Sequence, residues 1–115
     1  MSQSLKKKRA RAYESQAGKC YYCGIQMWPK NPQQSRAVSN QSSKYLMRIR
    51  CTAEHIQARS DGGSNATENI VAACWFCNQA RHRRKKPKSP SVFAEFVRSR
   101  VRLGKWHPAQ YQELY

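Results

Sequence analysis

Apolar and polar residues follow several different periods along the chain, and each change of period marks a short element. Residues 4–17 mix Leu and Ala with Lys, Arg and Gln and stop at Gly18, the pattern of a short basic helix ended by glycine. Cys20-Tyr-Tyr-Cys23-Gly24 reads as a tight turn. Residues 29–44, with Pro29, Pro32 and a run of Asn, Gln and Ser, are polar and aperiodic, a loop or insertion. Tyr45–Thr52 has β-branched and aromatic residues in partial alternation and predicts a strand with His55 at its end. Asp61-Gly-Gly-Ser-Asn65 is a strong turn signal, and Ile70–Ala73 is a short apolar run, a second strand. From Trp75 the composition is helical through about Lys86, where Pro87 stops it. Ser89-Pro90 is an N-cap followed by proline at the first helical position. Val92, Phe93, Phe96, Val97 and Val101 then recur at helical spacing, a core-facing stripe that Gly104 closes.

Composition narrows what such elements can build. At 115 residues, 39% of them hydrophobic, the chain has room for one domain with a small core, and small cores usually need a metal or disulfides. Lys and Arg number 22 against 6 Asp and Glu, a net charge of +16. That much charge of one sign repels itself in a compact state and calls for a polyanionic partner. Nucleic acid fits better than a membrane, because no apolar stretch approaches the ~20 residues of a spanning helix. The basic N-terminus has no apolar segment behind it, so no secretory signal is read there, and an intracellular setting with reduced thiols is expected.

In that setting the cysteine spacing is informative. Cys20-x2-Cys23 and Cys74-x2-Cys77 each let two thiolates reach one ion from a single turn, and two such turns complete a tetrahedral Zn²⁺ site. Paired disulfides or four ordinary buried cysteines are the blander readings. Four thiolates leave no open position, so this zinc would be structural. Cys51, left over, reads as a small core residue.

Between and after the two pairs lie Glu54-His55, Gly62-Gly63, Glu68-Asn69-Ile70-Val71 and the run Cys74-Trp-Phe-Cys77-Asn78-Gln-Ala-Arg-His82. In this order and spacing they resemble the HNH (ββα-metal, or His-Me finger) nuclease family, over roughly residues 18–85. The resemblance implies a small α+β domain: a two-stranded ribbon and a helix around a catalytic metal, with the four-cysteine zinc separate. It implies three segments: a basic N-terminal helix or arm (1–17), the nuclease core (18–86), and a C-terminal helix and tail packed on that core (87–115). His55 matches the family's general base, and imidazole suits deprotonation of water near neutral pH. Glu54 stands where the family more often has Asp, as an oxygen ligand of Mg²⁺ or Mn²⁺. Asn69 matches the middle Asn, whose amide braces the loop carrying the base. Asn78 takes the last position, where the family name would put His, and is assigned to the metal through its carbonyl oxygen. His82, one helical turn on, is a third metal ligand, a phosphate contact or one more residue of a basic run.

Basic residues cluster at 6–11, 81–88 and 98–105, and Lys6, Lys7, Lys8, Arg81, Arg83, Arg84, Lys85 and Lys86 are the candidate phosphate contacts. The expected function is metal-dependent hydrolysis of double-stranded DNA, one strand per site, by a monomer or homodimer. Two rivals stand beside it. One is a non-catalytic zinc module that binds nucleic acid by charge alone; the other is an RNA nuclease using the same site.

Overall fold

A computed structural model describes residues 2–31 and 43–115. Its order is α1 (Gln3–Ser15), α2 (Ser43–Arg48), β1 (Cys51–His55), β2 (Ile70–Cys74), α3 (Trp75–His82) and α4 (Pro90–Arg102), with 3₁₀ turns at Arg59–Asp61, Thr67–Asn69 and Ala109–Leu114. β1 and β2 form an antiparallel ribbon in the register Cys51↔Cys74 to His55↔Ile70. The fold is a small α+β domain of ribbon and helices with a four-cysteine metal site, consistent with a ββα-metal domain.

Ser2 caps α1 by accepting from the Leu5 amide, and Gly18, at φ +75°, turns the chain after it. Past the helix end, Gln16 binds β2 as a strand would: its amide nitrogen donates to Ala72 O and its oxygen accepts from Ala72 N. β2 thereby gains a partner on the side that β1 leaves open. The ribbon's inner face joins Tyr22, Ile25, Met27, Trp28 and Ile49 in a single core that also contains the four paired cysteines. Cys51 is 1% exposed in that core, and burial pushes its thiol up to about 12.

Three expectations change. Residues 43–48, read as the end of a loop and the start of a strand, are helical, and the strand begins at Cys51. Leu46 and Ile49, three residues apart, point inward while Met47 is exposed, which is helical rather than alternating burial. The rest of the expected loop, residues 32–42, lies outside the described residues. α3 ends at His82 instead of continuing to Lys86, because the chain returns to let Lys88 O accept from Arg81 Nε at 3.0 Å. α4 starts where Ser89 and Pro90 predict, with the Ser89 hydroxyl accepting from Val92 N. Its stripe divides, however. Phe93 and Val97 are buried together with Ala94, but Val92 and Phe96 are 48% and 42% exposed. Positions i and i+4 share a side of the helix, and the 92/96 side stands at the rim of the core.

Candidate functional site

The cysteine turns meet because one precedes the core and the other caps a helix. Cys74 ends β2 and is the N-cap of α3, its sulfur accepting from Cys77 N at 3.4 Å. The Sγ atoms of Cys20, Cys23, Cys74 and Cys77 lie within 4.8 Å of one another, all buried. Cys23 and Cys74 are 3.9 Å apart, close to the edge of about 3.8 Å expected for a tetrahedron of ~2.3 Å Zn–S bonds. All four are free thiols, so paired disulfides are not what joins them.

Backbone amides of Tyr22 and Cys74 donate to Cys20 Sγ at 3.4 and 3.3 Å, which favours a thiolate there. Burial raises the Cys20 thiol, yet hydrogen bonds from the neighbouring cysteines outweigh it and bring the thiol well below its usual range. Burial drives Cys74 and Cys77 the other way. A dication held by all four sulfurs would displace the remaining thiol protons.

The C-terminal segment adds two donors that cysteine spacing did not reveal. Trp106 Nε1 donates to Cys77 Sγ at 3.3 Å. Arg48 Nε donates to His107 Nδ1 at 3.0 Å, so the His107 proton sits on Nε2, 3.4 Å from Cys23 Sγ. Burial and then the Arg48 charge depress His107 to about 4, which keeps it neutral in this role.

On the far end of the ribbon the geometry is open. Glu54, His55, Asn78 and His82, drawn from β1 and α3, line one cavity of about 530 Å³. Arg59, Arg83, Arg84 and Lys85, all exposed, make its rim basic. Glu54 is 1% exposed. Its Oε2 accepts from Tyr22 OH at 2.7 Å and from Arg81 Nη1 at 3.0 Å, while Oε1 meets His82 Nε2 at 2.7 Å. Asn78 is oriented by its neighbours. The Thr52 hydroxyl spends its proton on Ala73 O, so both it and Ala53 O can only accept, and the Asn78 atom facing them must be Nδ2. Oδ1 is then the end available to a ligand.

His55 Nε2 is 2.8 Å from Asn65 Oδ1. With that oxygen accepting, Nε2 carries the hydrogen and Nδ1 keeps the lone pair a base requires. The Asn69 side chain bonds backbone that follows His55 in the chain. It stitches the following loop: Oδ1 accepts from Gln57 N at 2.8 Å, and Nδ2 donates to Gln57 O and Ser64 O at 3.1 and 2.8 Å. Gly63 makes that loop possible, since a Cβ there would stand 1.8 Å from Gln57 O. The Lys8 ammonium bonds Asn65 O, tying α1 to the loop that orients His55.

Residues 43–84 match the HNH endonuclease family model. The matched segment covers α2, the ribbon and α3, and so holds every residue of the open cavity except Lys85. The match makes this segment similar to HNH endonucleases. α1, the Cys20–Cys23 pair and α4 lie outside it. No curated protein and no solved structure matches the chain.

The open cavity also sorts the expected phosphate contacts. Arg83, Arg84 and Lys85 line it, and Lys86 is exposed beside them. Arg81 is a correction: it is 3% exposed, and its guanidinium is consumed by Glu54, Tyr22 OH, His55 O, Ile56 O and Lys88 O. Its place in a basic run hid a helix position that faces β1. Lys6 and Lys7 line a different cavity, with Arg9 and Lys30. Asn65, Tyr22 and Arg59 were missed by sequence reasoning, since each lies outside the motif and only the fold brings it to the site.

Proposed function

We propose that the protein is a metal-dependent endonuclease that hydrolyses phosphodiester bonds in double-stranded DNA, cutting one strand per site. The observation that carries this reading is the convergence of Glu54, His55, Asn78 and His82 on one cavity with a basic rim. His55, held by Asn65, serves as general base, taking a proton from the attacking water at Nδ1. Arg59, Arg83, Arg84 and Lys85 hold the phosphates on either side of the scissile one and fix the strand's register without reading its sequence.

Glu54 Oε1, Asn78 Oδ1 and His82 Nε2 would hold a divalent cation, Mg²⁺ or Mn²⁺. The 2.7 Å between Oε1 and Nε2 is a few tenths short of the about 3.0 Å spanned by neighbouring ligands at ~2.1 Å bonds, so a slight spreading accommodates the ion. Bound there, the ion supplies Lewis-acid stabilisation of charge on the phosphate oxygens. Arg81 and Tyr22 hold the other carboxylate oxygen and so aim Oε1 at the cavity. The four cysteines hold structural Zn²⁺.

A supercoiled plasmid incubated with Mg²⁺ or Mn²⁺ should convert to the nicked form, and the His55→Ala protein should bind it without cutting. Equal binding by both proteins with no cutting under any divalent metal would sink the enzyme reading. Structured RNA at matched salt serves as the competing substrate; faster cutting of RNA would reassign the substrate.

A further inference from the structure

A second cavity, of about 190 Å³, is walled by Phe76, Phe93, Phe96 and Trp106. The rings meet mostly edge to face: Phe76–Trp106 at 4.9 Å and 68°, Phe96–Trp106 at 5.9 Å and 89°. Its basic wall includes Lys88, Arg83 and Arg84, and the last two also line the catalytic cavity, so the two spaces are joined by shared side chains.

Phe96 is 42% exposed although a core lies one helical face away, and the Lys88 ammonium stands 5.0 Å from its ring centroid. A ring face that a cation can approach is open to a flat partner as well. The occupant must satisfy aromatic walls and cationic edges together, in a chain of net charge +16. An apolar peptide side chain would use the rings and strand the charges. A duplex would use the charges, but its base faces are covered by stacking. An unpaired nucleotide uses both, and the volume, about six waters at ~30 Å³ each, suits a single ring system.

We propose that this cavity holds one unstacked base of the nucleic-acid strand, with Arg83 and Arg84 on the phosphates that link it to the scissile position. The protein would then favour substrates with an unpaired stretch beside the cut: a flap, a gap or a frayed end. This rests on the nuclease reading for the word scissile; the base site itself is tested by binding alone.

The experiment uses the zinc-loaded full chain without added Mg²⁺ or Mn²⁺. Anisotropy is followed for three fluorescent probes of equal length: a single strand, its duplex, and a strand of abasic residues. Phe96→Ala should weaken single-strand binding by roughly 5- to 100-fold and leave duplex and abasic binding within about twofold. Phe96→Tyr, which keeps the ring, should restore it. Raised salt should weaken all three probes yet leave the Phe96→Ala ratio unchanged, because stacking involves no counterion release. Single-strand binding unaffected by Phe96→Ala, or abasic binding equal to that of the base-bearing strand, would overturn the proposal. Loss of binding that Phe96→Tyr does not restore would also overturn it. A protein that nicks plasmid but fails these tests keeps the nuclease reading and loses the base site; one that passes them but cuts nothing does the reverse.

Discussion

The two ends of the β-ribbon carry two clusters of donor atoms, and they differ in one respect that governs everything else. At the Cys74 end, four sulfurs face one another inside the core, fenced by amides, Trp106 and His107. At the His55 end, a carboxylate, an amide and two imidazoles line an open cavity under a rim of arginines. The closed cluster has no position for water or substrate, so it can only stabilise. The open one leaves room for a ligand beside its side chains. α3 begins at the first cluster and ends at the second, so the cysteines set where Asn78 and His82 stand.

The sharpest way to break the comparison is at the closed end. Cys74→Ser, or a strong chelator, should unfold the domain cooperatively, since structural zinc contributes about 10 kcal/mol or more to folding of small modules. Circular dichroism would check it; a variant that retains its secondary structure and melting transition would remove the cysteines from the scaffold. At the open end, His55→Ala should leave the fold intact and lower the nicking rate by about 10²–10⁴-fold.

Glu54→Ala, also at the open end, tests the fold and the cavity together. It would leave the Arg81 guanidinium buried beside Tyr22 without its counter-charge and should cost about 3–5 kcal/mol in a denaturant titration. Stability close to wild type would mean that Arg81 finds compensation and that Glu54 acts only at the cavity. Asn65→Ala should be milder, roughly a tenfold loss in kcat with KM little changed, and Asn65→Asp, which keeps an acceptor, should recover most of it. Smallest is Arg83→Ala with Arg84→Ala: the slope of log affinity against log salt should drop by about 2, with cutting still measurable at low salt.

Legibility in the sequence followed the range of each interaction. Cys-x2-Cys pairs, the Ser89-Pro90 cap and the second strand's apolar run are local, and they are where the spacing puts them. α2 was not legible, because Leu46 and Ile49 sit in a stretch whose alternation also suits a strand. Val92 and Phe96 read as core since a helical period shows that a face exists but not how wide it is.

The sequence by itself determined the residue types of both clusters, their order and the chain's net charge of +16, because those depend on spacing within a turn and on composition. Tertiary structure alone decided which groups are free to act. It turned Arg81 inward against Glu54, set Asn65 against His55, and brought Trp106 and His107 to the thiols. Those pairs lie 10 to 84 residues apart, and no local pattern encodes a contact that exists only once the ribbon and its helices have packed.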